Sequence, residues 1–386
     1  MNNNNNKYQY KIHNKFYDLT DFVKIHPGGK EIFDNLESNL NITPMVYSYH
    51  KNPKKILEIL PKYEIPLDNS IIKYDTDYTY DNYCELKKLV YDEMIEKNIP
   101  FYWSNKEIAY NGFMFLSYLG LWGYCLKNAA NLSYLWILAL SFYTTGWGLL
   151  VFHETSHHTG FKNQKYNLLY SENLPFINTS YWKMQHNYLH HSFTDTEYDC
   201  DLLLEASDYI RYTNLTKSNN IVKFQHIYIL FLWIIGGIFS QSKTYFSIAQ
   251  TNKYLLFTMI YFLGISKVLL FYSLFVAHFL FIANLSHIQY ECIQINTKNK
   301  NDFLYNQISS SINYETNNPL VRFIAIGLDI QIEHHLFPNI PHSSLRKVKH
   351  IVKNYCVKNN VPYIENLNIY QSIWSYFKYI FTMGNC

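Results

Sequence analysis

The segment "IAYNGFMFLSYLGLWGYCL", residues 108–126, contains no charged side chain. A second charge-free segment, "SYLWILALSFYTTGWGLLVF", follows at residues 133–152. A helix needs about 20 mostly apolar residues to cross the hydrocarbon core of a bilayer. The short polar link between the two segments predicts a helical hairpin, with Tyr and Trp near the membrane surfaces. Two buried core helices of a soluble protein are the alternative, which two such segments in succession make the weaker reading.

Two further apolar regions lie at residues 221–241 and 254–286. Either the first crosses the membrane and the second is one tilted helix, or the first lies in the interface and the second is a tight hairpin. Both arrangements put residues 153–220 and 287–386 on the same side of the membrane. We favour the first, which predicts an all-α membrane domain with about four transmembrane helices, although two or three crossings over these regions stay open.

The amino-acid composition argues against several functional classes of protein. Of 386 residues, 48% are hydrophobic and 16% are charged, against about 25% charged in ordinary soluble domains. The net charge of +3 and the lack of a Lys/Arg block argue against nucleic acid as a partner. The six cysteines show no CxxC pair, which favours a reducing compartment over a disulfide framework.

The chain before the apolar segments divides into three parts. Residues 1–6 form an Asn-rich tail that we expect to be disordered, and they do not form a secretory signal. Residues 7–70 predict a small α+β module that opens with a strand–turn–strand pattern, its turn near Asn14-Lys15. Residues 71–107 predict a linker with one amphipathic helix, lying on the module or on the membrane surface. The apolar positions of that helix are Leu86, Leu89, Val90, Met94 and Ile95.

Eight of the 16 histidines lie in three short groups. The groups read "HETSHH" at 153–158, "HNYLHH" at 186–191 and "QIEHH" at 331–335. In an HxxxHH helix the first and fifth residues point the same way and the sixth is turned by about 100°. Such a helix offers two imidazoles to one ion and a third to a neighbouring ion. No cysteine joins the groups, which argues against structural zinc, and neutral imidazoles suit Zn, Cu, Fe or Ni. The candidate ligands are His153, His157, His158, His186, His190, His191, His334 and His335.

The N-terminal module carries a second pair of histidines. The stretch "FYDLTDFVKIHPGG" contains His26, and His50 follows 24 residues later. This pattern resembles the cytochrome b5 family, which implies that both histidines bind heme b from opposite sides. A six-coordinate heme has no open position, so it carries electrons. The module departs from the family's pattern at Asn41 and Val46, and a heme-free relative is the alternative.

A heme module joined to a membrane hairpin and three histidine boxes resembles the front-end membrane fatty acid desaturases. The third box carries Gln331 at its first position. Most membrane desaturases have histidine there, whereas the front-end enzymes have glutamine. The resemblance covers most of residues 7–370 and makes residues 108–386 the desaturase domain. It implies that the eight box histidines hold two iron ions, with Gln331 as a ligand or its neighbour and His287 as a further ligand. Glu154 stands in place of the usual aspartate in the first box, and Cys200 in place of a proline after the second.

The remaining polar candidates are less specific. Three aspartates behind the second box either orient imidazole N–H groups or form a solvated acidic loop, and both readings stay open. We expect His278 to lie within a helix. The aspartates are Asp195, Asp199 and Asp201, and the histidines expected to be structural or on the surface are His13, His226, His342 and His350.

The resemblance implies an O2-dependent di-iron oxidoreductase acting on acyl lipids or acyl-CoA. It would insert a cis double bond between an existing double bond and the carboxyl end, with electrons from its heme and from NADH-cytochrome b5 reductase. It would sit among membrane lipids of the endoplasmic reticulum, with the heme module and the histidine boxes in a cap on the cytosolic side. The alternatives are a sphingolipid long-chain-base desaturase or lipid hydroxylase, a non-catalytic membrane heme protein and, last, a zinc-dependent membrane hydrolase. Regiochemistry, chain length, head group and oligomeric state stay open.

Overall fold

The computed structural model describes residues 8–34, 36–66, 71–172, 177–199, 208–213, 217–239, 253–295 and 301–386. A small N-terminal α/β region precedes a mostly helical remainder, as the sequence predicts in outline. The expected tail at residues 1–6 lies outside the described part of the chain.

The N-terminal region is built on a four-stranded sheet. Strand Gln9–Ile12 pairs antiparallel with Lys15–Asp18 and parallel with Leu40–Asn41, and Glu64–Ile65 pairs antiparallel with Lys15–Asp18. The hairpin turns one residue earlier than predicted, because His13 adopts a positive φ of 53°. The helices of this region are Thr20–Val23, Thr43–Tyr49 and Pro53–Ile59, with 3-10 turns at Lys30–Ile32 and Leu60–Tyr63.

The linker helix Asp81–Glu96 contacts the N-terminal region but packs chiefly against the C-terminal helix His342–Lys358, which neither predicted placement included. Leu86, Val90 and Met94 are fully buried on one side of it. The Lys87 ammonium donates to the carbonyls of Tyr47 and Ser48. The three apolar side chains share one hydrophobic core with residues of the C-terminal helix His342–Lys358.

The predicted helical hairpin is present. Its first helix, Asn105–Lys127, begins at a capping box formed by Ser104 and Glu107. Its second, Tyr134–Ser156, contains a π-helical turn at Thr144–Leu149. Phe113 and Leu116 of the first helix are 67% and 68% exposed, so apolar side chains cover its outer face.

Within the described residues, the later apolar regions form three α-helices: Gln225–Phe239, Lys253–Leu263 and Ile265–His287. The expectation of a single tilted helix over 254–286 is therefore wrong. Gly264 breaks the region because its φ of 79° and ψ of 152° are incompatible with a continuing helix. Two described helices, Tyr134–Ser156 and Ile265–Cys292, are long and apolar enough to cross a membrane.

The remaining elements assemble around the histidine-rich segments. Strands Asn313–Tyr314 and Glu365–Asn366 pair in parallel, and Glu365 binds the ammonium groups of Lys349 and Lys353, the latter at 2.8 Å. One hydrophobic core lies among the apolar helices, and a second joins the N-terminal region to the C-terminal part. The remaining helices are Gln164–Glu172, Thr179–Trp182, Lys183–His190 (π), His191–Phe193, Val222–Phe224 (3-10), Tyr290–Ile295, Phe303–Ser309, Pro319–Ile324, Gln331–Leu336, His342–Lys358 and Ile369–Asn385, with a further 3-10 turn at Ala129–Asn131.

Candidate metal centre

The structure brings eight histidines into two adjoining groups. Within each group the nitrogen atoms that could bind an ion lie within 4.8 Å of one another. The groups meet where the rings of His191 and His335 stack, with their centroids 4.5 Å apart. The first group is His153, His157, His186, His191 and His334, and the second is His190, His287 and His335.

The first box contributes two of its three histidines. His153 lies on the last turns of the membrane helix and His157 directly follows that helix, so both face the first group. His158 lies outside both groups, unlike its predicted placement. Its φ of 62° turns the chain away from the helix, and its Nδ1 lies 2.9 Å from the Gln164 amide oxygen.

The second box divides its ligands differently from the expected helical pattern. His186 and His191 belong to the first group, whereas His190 belongs to the second. The reason is the π-helix Lys183–His190, which replaces the α-helix assumed in the sequence argument. Its hydrogen bonds join residues five apart, so residues i and i+5, rather than i and i+4, come to one side.

The third box begins a short buried helix, Gln331–Leu336. His334 points into the first group and His335 into the second. His287, at the end of a membrane helix, joins the second group, with its Nε2 3.1 Å from Nε2 of His335. The Gln331 amide nitrogen lies 2.8 Å from the same His287 atom, so this side chain borders the second group.

In the second group, Nδ1 of each histidine forms a hydrogen bond with an acceptor that lies outside the group. Nδ1 of His190 lies 3.0 Å from the buried Asp199 carboxylate. Nδ1 of His287 lies 2.8 Å from a backbone carbonyl, and Nδ1 of His335 lies 2.9 Å from the Gln307 amide oxygen. Each acceptor fixes the proton on Nδ1 and so makes Nε2 the ring nitrogen whose lone pair can bind an ion, which is how metal-bound histidines are usually oriented.

The first group fits a metal ion for a related reason. Among the described residues, Nε2 of His157, His191 and His334 is buried without a hydrogen-bond partner. A buried polar atom left unpaired costs about 1–3 kcal/mol, so three such atoms within one group of histidines call for a shared ligand. Burial, with the neighbouring imidazoles, holds the pKa of each of these three histidines well below its usual range. The rings are therefore neutral at pH 7 and available to a cation.

Two residues near the first group were not predicted to belong there. His342 is buried, and its Nε2 lies 3.3 Å from Nδ1 of His334. Glu154 accepts hydrogen bonds from the indole of Trp103 at 2.5 Å and the backbone N–H of His342 at 2.7 Å. His342 stands outside every box spacing, so no sequence signal marked it.

The other polar residues considered in the sequence analysis lie in different surroundings. Asp199 contacts a cluster histidine, which favours the orienting role over a solvated loop for this residue. The backbone N–H of Asp195 donates to the same carboxylate at 2.9 Å. His278 lies within a helix as expected, 2.8 Å from the carbonyl of Ile324. Asp201 and Cys200 lie outside the described residues.

The N-terminal histidine pair lines a cavity of about 640 Å³, which His157 of the first histidine group also borders. The ring centroids of His26 and His50 lie 6.0 Å apart, and apolar side chains such as Leu36 and Val46 line the space around them. Burial, and secondarily His26, lowers the pKa of His50 to about 4. Burial also lowers the pKa of His26. Two neutral imidazoles facing an apolar cavity suit a flat cofactor with two axial ligands.

The profile of the family described as "Fatty acid desaturase" matches residues 129–366, more than half of the chain. The chain belongs to the fatty acid desaturase family. The matched part contains all three histidine boxes and His287. The chain is therefore an oxidoreductase of lipid metabolism, as predicted.

Curated relatives extend the similarity across the N-terminal region. The chain is 25% identical to the Delta(6)-fatty-acid desaturase fat-3 of Caenorhabditis elegans, over 92% of this chain and 91% of that protein. It is 25% identical to a Delta(8)-fatty-acid desaturase of Borago officinalis, over 91% and 85% of the two chains. It is 24% identical to a probable Delta(5) fatty acid desaturase of Dictyostelium discoideum, over 96% and 90%. No solved structure matches the chain significantly.

These relatives confirm the predicted resemblance to front-end desaturases. Membership of this family implies a lipid acyl substrate and O2. Together with the two membrane-length helices it indicates a membrane protein, and together with the histidine groups it points to iron.

Proposed function

We propose that this desaturase inserts a cis double bond between an existing double bond and the carboxyl end of a polyunsaturated acyl chain. The observation that carries the proposal is the pair of adjoining histidine groups bordered by Gln331. The names of the relatives, which specify Delta(5), Delta(6) and Delta(8) positions, agree with such a reaction.

The residues of the chain fit two iron ions. His153, His157, His186, His191 and His334 would hold one ion, and His190, His287 and His335, with Gln331 beside them, would hold the other. Bound iron would supply the O2-dependent oxidation that removes hydrogen from an unactivated methylene. The Asp199 carboxylate would keep the proton of His190 on Nδ1 and orient its ring. The buried surroundings of the groups would exclude water from the reacting carbon.

We further propose that the N-terminal region, residues 7–70, is a cytochrome b5-like module with heme b between His26 and His50. Bound heme would supply electrons one at a time, and NADH-cytochrome b5 reductase would reload it. The cavity and its two neutral imidazoles support this assignment. His158 lines the same cavity, so its role would be toward the heme rather than the iron.

Four helices are proposed to cross the membrane: Asn105–Lys127, Tyr134–Ser156, Gln225–Phe239 and Ile265–His287. The even number keeps the first two histidine boxes on the same side as the third. We propose that this side is cytosolic and that the membrane is the endoplasmic reticulum, where soluble NADH reaches the reductase.

Lipid analysis of yeast that expresses the chain tests the proposal. Cells are fed a panel of polyunsaturated acids, and new double bonds are located by mass spectrometry, with His334→Ala as the inactive control. A new bond on the carboxyl side of an existing one, absent in the control, is the expected result. New double bonds or hydroxyl groups in sphingoid bases alone would overturn the acyl assignment in favour of a sphingolipid enzyme. Unchanged lipids from a chain that carries both iron and heme would overturn the desaturation of these acids.

A further inference from the structure

The two candidate cofactor sites adjoin each other at His157, which borders the cavity of the N-terminal module and belongs to the first histidine group. Tyr49, the residue before His50, lines the cavity of the N-terminal module. Its hydroxyl lies 2.8 Å from Nδ1 of His157, a member of the first histidine group. The two rings are nearly parallel, 18° apart in orientation, with their centroids separated by 6.3 Å. One residue therefore joins the candidate heme ligand to a candidate iron ligand.

The direction of this hydrogen bond follows from the surroundings of His157. Its Nε2 is buried without a partner among the described residues and faces the first group. With Nε2 on an ion, the proton of the ring resides on Nδ1. The Nδ1–H then donates to the Tyr49 hydroxyl oxygen, which fixes the ring as carboxylates and carbonyls fix other metal-bound histidines.

The helix that carries Tyr49 is held firmly from outside the module. The last carbonyls of a helix lack partners within it. In Thr43–Tyr49 these carbonyls accept hydrogen bonds from distant parts of the chain: Lys87 donates to Tyr47 and Ser48, and the Asn339 amide donates to Tyr49 at 3.0 Å. The end of the helix is thus fixed to the linker helix through Lys87 and to the desaturase domain through Asn339.

We propose that Tyr49 is a positioning residue for electron transfer from the module to the metal centre. It orients His157 for the ion and connects that ligand to His50, so electrons pass within one folded chain. The inference rests on the proposed heme and iron sites and deepens them by naming the contact between the two.

The electron balance of the reaction requires that electrons reach the metal centre from outside the substrate. Each double bond takes two hydrogen atoms from the acyl chain, whereas reducing O2 to two water molecules takes four electrons and four protons. The other two electrons would pass through bound heme one at a time, with NADH-cytochrome b5 reductase reducing the heme again after each transfer, and the other two protons would come from water. Tyr49 is unchanged at the end of each transfer.

Stopped-flow spectroscopy of the purified full-length holoenzyme tests the proposal. The heme is reduced without O2, then mixed with O2 and a substrate identified in yeast, and its reoxidation is followed in the visible spectrum. Tyr49→Phe keeps the ring and removes the hydroxyl. We expect reoxidation at least about tenfold slower at equal iron loading, the size typical for loss of a partner that orients a metal ligand. The heme spectrum and heme content stay unchanged.

The matched control is Tyr47→Phe on the same helix. It also removes a hydroxyl, but one that lies 3.0 Å from His13, which belongs to neither histidine group. The control should reoxidise at the wild-type rate. A small-molecule reductant that reaches the iron directly should restore turnover of Tyr49→Phe, whereas general loosening of the fold would not be rescued.

The outcomes separate the inference from the function on which it rests. Wild-type protein without heme absorbance, or without substrate-dependent reoxidation, overturns the proposed function and the inference with it. Wild-type reoxidation that Tyr49→Phe leaves unchanged overturns the inference alone. If Tyr49→Phe does not accumulate, Asn339→Ala replaces it. That variant releases the carbonyl of Tyr49, and an unchanged rate there also counts against the proposal.

Discussion

Replacing Asp199 with asparagine should loosen the second metal ion without changing the shape of the site. Asp199 is fully buried. One carboxylate oxygen accepts the Nδ1–H of His190 at 3.0 Å, and the other accepts the backbone N–H of Asp195 at 2.9 Å. An asparagine amide has one acceptor oxygen and one NH2 group. Whichever way it points, one N–H donor faces another, and one of the two hydrogen bonds is lost.

The expected magnitude follows from that single bond. A hydrogen bond to a charged group contributes about 1.5–3 kcal/mol. At 1.4 kcal/mol per tenfold change in an equilibrium constant, this corresponds to roughly 10–100-fold weaker binding of the ion. The same range is typical when an outer partner of a metal-bound histidine is removed. We therefore expect Asp199→Asn to lose about half of its non-heme iron at chelator concentrations that the wild type withstands, because only the second group is affected.

Metal analysis after dialysis against a series of chelator concentrations measures this loss, and turnover on the acyl substrate should fall in parallel. Asp21→Asn is the matched control, because Asp21 is an exposed aspartate whose ion pair with Lys24 lies on the surface. Iron retention by Asp199→Asn equal to that of the wild type would refute the assignment of the second group as a metal site.

Three other sets of substitutions give independent tests. In the same metal analysis, His158→Ala should retain its non-heme iron, whereas His157→Ala should lose iron. The reason is that the His157 ring, unlike that of His158, belongs to a histidine group. Equal iron losses in the two variants would show that both histidines bind iron. Burial by itself would raise the pKa of Glu365, but its two lysine partners outweigh burial and lower that pKa. A depressed carboxyl pKa stabilises the fold above the usual value near 4.5, and the gain disappears as pH falls through the folded value. Glu365→Gln should therefore lower the free energy of unfolding by roughly 1 kcal/mol or less at pH 7 and leave it unchanged at acid pH. Thermal unfolding in detergent at both pH values measures this difference. A loss of stability that does not depend on pH would contradict the assigned role of the two lysines. Gly264→Ala should cost about 1–3 kcal/mol in the same assay, because its backbone conformation is nearly restricted to glycine. Gly123→Ala, within a helix and with open space at its Cβ position, should be neutral or stabilising, and equal effects at both positions would remove the backbone explanation.

The sequence predicts which histidines form the metal site, but not which of them would share one ion. Box spacing and the lack of cysteine identified the histidines, because repeated histidine patterns are rare without a ligand. Their assignment to two ions depended on the local helix type. Nothing in "HNYLHH" indicates that the helix is of the π type, which moves His191 rather than His190 beside His186. Likewise, nothing in "HETSHH" shows that the chain leaves the helix at His158.

The fold followed from hydrophobic patterns where segments are long and uninterrupted. The hairpin over residues 105–156 appears as expected because charge-free stretches of that length have few alternatives. The break at Gly264 was open from sequence, since a single glycine within an apolar run is compatible with a continuous helix. Contacts between distant segments, such as Tyr49 with His157 and His342 with His334, depend on packing that no local pattern encodes.

The decisive measurement is the iron content of purified full-length protein, with heme iron and non-heme iron determined separately. We predict one heme per chain and one non-heme iron for each of the two histidine groups. His153→Ala and His335→Ala should each reduce the non-heme iron, and neither should change the heme. Zinc in place of iron, or non-heme iron that both variants retain, would contradict the proposed di-iron centre.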